Sequence, residues 1–200
     1  MKRFIIIVVI LALAGCGYYF FYPPLVLQRQ TEKAFSDFSK MLALHDRAKV
    51  GEGLQKILSS TAQIHLEVRT ISLSQLDGGA PVVQDFDKPA FITFIDNILF
   101  TLTEYYYEPE VVDFVLAADK KSAAVTFTSR EWGDGITYYG GTGINTRFSS
   151  NSTCEGQVHF EGKNTLLDKA SCTLRMTSVP KPEEAQKVQE NPEALRQLLR

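Results

Sequence analysis

The chain has 200 residues, of which 44% are hydrophobic and 22% charged, enough for one ordinary globular domain and little more. Its 21 Lys and Arg against 23 Asp and Glu leave a net charge of -2. That balance argues against nucleic acid as the main partner, because phosphate binding needs a concentrated basic surface.

Lys2 and Arg3 precede an apolar run from Phe4 to Tyr22, which stops at Pro23-Pro24. As a helix the run covers about 28 Å, enough for the hydrocarbon core of a membrane. Basic residues stay on the cytoplasmic side, so the rest of the chain is expected outside. Within the run, Leu13-Ala14-Gly15-Cys16 resembles the bacterial lipobox, in which Cys16 would carry the lipid after cleavage. The aromatic residues after it, Tyr18, Tyr19 and Tyr22, suit instead the outer belt of an uncleaved anchor. Both readings make residues 1–24 an anchor and place the body in the periplasm or another extracytoplasmic space.

The body, 25–180, opens with helical spacing at Phe35, Phe38 and Leu42, in a helix expected from Leu25 to about Arg47. A short helix is expected from Val50 to Leu58. Thr61 to Thr70 alternates, with Ala62, Ile64, Leu66 and Val68 on one face and Gln63, His65, Glu67 and Arg69 on the other, as in a half-buried strand. Ser74 to Phe86 reads as a loop. Asp87 is a helix N-cap with Pro89 in the first turn, and Phe86 and Phe91 form a hydrophobic staple. Glu110 to Ala117 and Ala123 to Trp132 read as a hairpin around Asp119-Lys120-Lys121. The glycine-rich segment Gly133 to Gly143 is expected to separate it from a second hairpin. The latter turns near Gly162-Lys163-Asn164, and a turn centred on Lys163 sets Cys154 opposite Cys172, Phe160 opposite Leu166 and Gly156 opposite Ala170. A disulfide between Cys154 and Cys172 is expected, and it fits an oxidising compartment. The tail, 181–200, carries two cap signals, Pro182-Glu183-Glu184 and Asn191-Pro192-Glu193, and a leucine stripe at Leu195, Leu198 and Leu199.

Helices first and antiparallel strands later indicate an α+β fold. In element order, and in the hairpin Val111-Val112-Asp113-Phe114-Val115-Leu116 with Ala123-Ala124-Val125-Thr126-Phe127-Thr128, the chain resembles the nuclear transport factor two-like (SnoaL-like) superfamily. The resemblance implies helices packed on a curved antiparallel sheet that forms a cone. Its members include enzymes, ligand binders and assembly modules, so the fold alone leaves the function open.

For acid–base or ligand chemistry inside such a cone, the strand alternation points Asp113 and Asp168 inward, and Tyr105, Tyr106 and Tyr107 offer hydroxyl donors, with Tyr105 and Tyr107 the preferred ligand-binding pair. His65 and His159 fall on polar faces, and His45 lies near a helix end. No metal site, cofactor or catalytic group is expected from these residues. The expected function is a membrane-anchored, non-catalytic binding or assembly module of the bacterial cell envelope. Its partners would be the membrane through the N-terminus, an envelope protein or a second copy, and a small apolar ligand. The alternatives are a cone-cavity enzyme of the isomerase or hydrolase type and an apolar-ligand carrier.

Overall fold

The computed structural model describes residues 2–44, 46–71, 80–139 and 142–191, with 2–22, 139 and 185 described as backbone alone. Helix α1, Lys2–Ala43, runs unbroken through Pro23 and Pro24. The apolar run and the body's first helix are thus one element, although each proline removes a backbone donor. The expected end at Arg47 falls short because Asp46 starts α2, Arg47–Ile57, by accepting from the Lys49 backbone N–H. Val50 and Leu54 turn inward and are almost fully buried, each worth about 1.5–3 kcal/mol relative to exposure. Among the residues whose side chains are described, which exclude 2–22, no helix is long and apolar enough to cross a membrane. The expected lipobox and the side chain of Cys16 lie outside the described residues.

Strand β1, Leu58–Ile71, follows α2 without a loop. Its alternation matches the sequence, with Ala62, Ile64 and Leu66 buried. The expected loop after it contains a strand, β2, Val82–Asp87, antiparallel to β1. Residues 74–79 of that expected loop lie outside the described residues. β2 is a sheet edge with nearly every side chain exposed, so it carries no amphipathic signal. Asp87 then caps α3, Lys88–Thr101, by accepting from Ala90 N–H. The staple forms as expected, with Phe86 and Phe91 ring centroids 5.9 Å apart. Lys88 Nζ donates to the carbonyls of Gln55 and Leu58, which ties the end of α2 to the start of α3.

The four long strands are β3, Leu102–Leu116, β4, Ser122–Tyr139, β5, Thr142–Glu161, and β6, Asn164–Pro180. The sheet order is β2-β1-β6-β5-β4-β3. All neighbours are antiparallel except β1 and β6, which run parallel. The glycine-rich segment is therefore mostly strand. Gly133 and Gly135 are paired within β4, and the turn near 140–141 lies outside the described residues. The α+β cone is as expected: helices cover one face of a curved, largely antiparallel sheet.

Two of the sheet's register shifts are β-bulges that reset the inward alternation around Asp113 and Asp168. Val111 pairs with Phe127 but Asp113 pairs with Thr126, so Val112 is an extra residue in β3. Leu167 pairs with Val158 but Lys169 pairs with Gln157, so Asp168 is an extra residue in β6. A bulge places two successive side chains out of step with the pleat. Beyond the second one the expected register holds, with Gly156 opposite Ala170 and Cys154 opposite Cys172. Toward the turn it shifts by one, so Phe160 faces Thr165 rather than Leu166. The loop is the pair Gly162-Lys163, and Gly162 has φ +61°, a conformation that suits glycine in the first position of a two-residue hairpin.

The inner face reads as successive rows. The deepest rows join Val125, Gly156, Ala170 and Ile64, then Phe127, Cys154, Cys172 and Leu66. The cysteine sulfurs are bonded, with Cα atoms 4.1 Å apart. Helix α1 closes this floor: Phe35 lies on Phe127 at 4.8 Å and Phe38 meets Tyr107 edge-on at 5.9 Å. The tail forms a single 3-10 turn, Pro182–Glu184, and helix α4, Ala185–Glu190. Lys181 Nζ and Arg147 Nε grip Asp134 at 2.6 and 3.0 Å, and Asn145 donates to Glu184. The leucine stripe and Pro192-Glu193 lie outside the described residues.

Candidate functional site

Above the cysteine row the inner face turns polar. Ser129 of β4 faces Ser152 of β5, and the next row holds Tyr107, Glu131 and Ser150 in line across β3, β4 and β5. The alternation that buries Ala123, Val125 and Phe127 carries Ser129 and Glu131 to the same side. Tyr105 Oη donates to Glu131 Oε2 at 3.1 Å, and Ser129 Oγ donates to Oε1 at 3.2 Å. Ser129 and Ser152 hydroxyls are 2.6 Å apart. Ser150 Oγ helps hold the carboxyl down, yet it is buried without a well-formed hydrogen bond of its own.

One row further on, Gly133 stands between Tyr105 and Phe148. The missing side chain lets the two rings stack across it at 6.1 Å and 22°. A Cβ at Gly133 would collide with the Glu104 carbonyl and come within 3.0 Å of Phe148 Cε1. Across β6, Leu174 and Met176 continue the same face beside Ser152 and Ser150. Tyr105, Tyr107, Glu131, Phe148, Leu174 and Met176 are only partly buried. The upper inner face thus carries a partly buried aromatic and thioether cluster around a hydrogen-bonded carboxylate.

Electrostatics follow from that placement. Burial pushes the Glu131 carboxyl above its usual range, against hydrogen bonds from Tyr105 and Ser129 and the nearby Ser150 hydroxyl. Glu131 keeps some solvent-accessible surface, but the protein packed around it outweighs that opening. Burial, reinforced by the Glu131 charge, raises both the Tyr105 and Tyr107 hydroxyls. Both tyrosines therefore stay protonated as fixed donors at neutral pH.

Of the residues singled out from sequence, Tyr105 and Tyr107 stand in this cluster. Asp113 and Asp168 do not. Asp113 is exposed, and its carboxylate accepts from the Phe114 backbone N–H. Asp168 accepts from His159 Nδ1 at 2.8 Å on the outer face, where Glu161 meets the other ring nitrogen at 3.2 Å. Desolvation opposes the His159 charge, but Asp168 and then Glu161 outweigh it and raise the imidazole pKa. Both aspartates sit next to a bulge or at one, which explains their reversed orientation. Glu131 was absent from the sequence candidates, although it continues the Val125, Phe127, Ser129 alternation.

A depression of about 860 Å³ lies on the helix-free face and includes His65, Asp85, Asp113, Glu155 and Lys169. Its His65 and Asp85 pair with each other at 2.7 Å. Among the described residues no group of His, Cys, Asp and Glu is arranged to hold a metal ion.

Comparison with solved structures places this architecture. The chain is similar to a putative scytalone dehydratase from Novosphingobium aromaticivorans at 9% identity and TM-score 0.53, covering 80% of this chain and 90% of that one. It is similar to LinA at 10% identity and TM-score 0.50, covering 80% and 93%. It is also similar to the Kfla4162 protein from Kribbella flavida at 10% identity and TM-score 0.50, covering 74% and 89%. At such identities the likeness is one of fold, and it is the nuclear transport factor two-like cone. No family model matches the sequence, and no curated protein matches it.

Proposed function

We propose that this protein is a membrane-held, extracytoplasmic binding module whose cone takes a small, largely apolar molecule and orients it against Glu131. The observation that carries the reading is the inner-face cluster of Tyr105, Phe148, Leu174 and Met176 around one hydrogen-bonded carboxylate. Sites for small ligands combine an apolar lining with a few placed polar groups in this way. Support for the location comes from Lys2-Arg3, the apolar run after them, and the Cys154–Cys172 bond, which suits an oxidising compartment. The outer face offers Tyr106 stacked on Trp132 at 5.5 Å with Ile136 and Tyr138 exposed on the same strand, a surface suited to an envelope protein or a second copy.

A second reading is a cone-cavity enzyme. It is favoured by one observation, the raised Glu131 carboxyl, since a base tuned toward neutrality is what proton abstraction needs. Against it, Tyr105 and Tyr107 are shifted away from the working range of an acid, and both described histidines face outward.

The test uses the full chain, extracted from the membrane in mild detergent. Native mass spectrometry should show a retained small molecule that is lost in Tyr105→Phe with Glu131→Gln, while the melting transition survives. In intact cells or spheroplasts, protease added outside should digest the body. A protected body, or a ligand retained in the double variant, overturns the proposal. Turnover of a captured molecule by the wild type, abolished by Glu131→Gln, would move the assignment to the enzyme reading.

A further inference from the structure

Helix α1 has a fixed direction over the sheet. Phe35 lies on Phe127, while Phe38 and Ser39 reach Tyr107. Phe127 pairs with Val111, and Tyr107 pairs with Glu131. Going forward along α1 therefore leads away from the turn that joins β3 to β4, and going back along it leads toward that turn. The turn that joins β5 to β6 stands at the same end: Ser122 pairs with His159, and Phe160 N–H donates to the Lys121 carbonyl at 2.9 Å.

The lengths agree. From Phe35 back to Pro24 the helix covers about 17 Å. From Phe127 to Lys121 strand β4 covers about 20 Å, and from Cys154, the neighbour of Phe127, to Gly162 strand β5 covers about 26 Å. Both hairpin tips thus come within about two helical turns of the level of Pro23-Pro24, where the apolar run ends, beside a helix that continues unbroken to Lys2.

This end displays both parts of a surface that lies on a bilayer. Lys120 and Lys121 belong to one turn and Lys163 to the other, all three exposed, and Arg29 is exposed on α1. Of the two acids in the turns, Asp119 accepts from the Lys121 backbone N–H, and Glu161 meets His159 at 3.2 Å. Apolar side chains stand at the same end. Leu25 and Val26, just after the two prolines, are 55% and 41% exposed, and Val115, close to the β3–β4 turn, is 58% exposed. Lysines are drawn to anionic headgroups by charge, and aliphatic groups beside them gain by burial at the headgroup boundary.

We propose that the two hairpin tips rest on the membrane, with Lys120, Lys121 and Lys163 against anionic lipid headgroups and Leu25, Val26 and Val115 at the headgroup boundary. The inference rests on the membrane-held reading and adds an orientation to it. The domain stands tips down, and Trp132, about 36 Å along β4 from Lys121, is held away from the bilayer.

The test places the full chain in vesicles of phosphatidylcholine alone and in vesicles with about one-third phosphatidylglycerol, an anionic lipid. A membrane-impermeant amine reagent is added outside, and labelling at each lysine is read by peptide mass spectrometry. Lys120, Lys121 and Lys163 should label at least about threefold more slowly in the anionic vesicles, and high salt should restore the rate. Lys187 of α4, at the other end of the sheet, should label alike in both. Emission from Trp132, the single tryptophan, should be unchanged by lipids brominated on their acyl chains. Flotation with the vesicles but equal labelling in the two compositions, or quenching of Trp132, overturns the inference and leaves the membrane-held reading standing. Failure to float with either vesicle overturns that reading, and the inference with it.

Discussion

Reducing the Cys154–Cys172 bond should lower stability by about 3 kcal/mol. The bond joins directly opposed residues of β5 and β6 separated by 18 positions, and closing a loop of that length removes about that much free energy from the unfolded ensemble in the chain-entropy model. Both cysteines are almost fully buried in the row beneath the polar cluster, so the reduced native state keeps two packed thiols and little else changes there. For a domain of this size each kcal/mol moves the melting temperature by about 2–4 °C, so the expected fall is about 6–12 °C. The assay is a melt of the full chain in detergent after refolding with and without a phosphine reductant, with thiol labelling to verify the redox state. Cys154→Ala with Cys172→Ala should melt at or below the reduced wild type and ignore the reductant. Coincident melts of verified oxidised and reduced wild type would refute the reasoning, since they would mean that the bond constrains nothing the unfolded chain was free to explore.

Other perturbations have signed outcomes. The folded Glu131 pKa lies above its unfolded value, so its stabilising contribution is present below about pH 4.5 and is lost as pH rises through the raised value. Glu131→Gln should therefore gain on the wild type as pH rises from 4.5 to 8; a melting difference that is flat or shrinks with pH contradicts this. Asp134 has the opposite sign, because hydrogen bonds from Arg147 and then Lys181 hold its pKa down. Its contribution is present above about pH 3.8 and is lost as pH falls through the lowered value. Asp134→Asn should loosen the tail at neutral pH, seen as faster protease cutting near Lys181, with no difference from the wild type at strongly acidic pH. Gly133→Ala forces a Cβ against the Glu104 carbonyl and toward Phe148, and should cost about 2–3 kcal/mol in chemical denaturation; a neutral result would show that β3 and β4 can part there.

Much of this fold could be read in the sequence wherever one periodic rule applied without interruption. The β1 alternation, the Asp87 cap, the Phe86–Phe91 staple and the cysteine register each depend on residues within one element or one hairpin, and each stands. The errors have physical causes. Asp113 and Asp168 were assigned by strict alternation, and Val112 and Asp168 are insertions that alternation cannot anticipate. Strand β2 escaped because an exposed edge needs no amphipathic pattern. Gly133 and Gly135 looked like a break, whereas they sit in β4 where neighbouring backbone or side chains crowd in. Tyr105 and Tyr107 could be placed by composition, but their partner Glu131 required carrying the β4 face two residues past Ser129, within the strand expected from Ala123 to Trp132.

The parallel pairing of β1 with β6 has a consequence for the order of assembly. Leu66 lies beside Cys172 and Val68 beside Leu174, contacts that join positions separated by roughly a hundred residues, and such non-local closure slows folding. Until β6 emerges, β1 has β2 as its only sheet neighbour, and two strands alone are marginal in water. The C-terminal third of the chain therefore decides when the N-terminal strands become committed. A nascent chain truncated before Asn164 should remain protease-sensitive throughout, and one reaching Pro180 should acquire protection in β1 and β5 together.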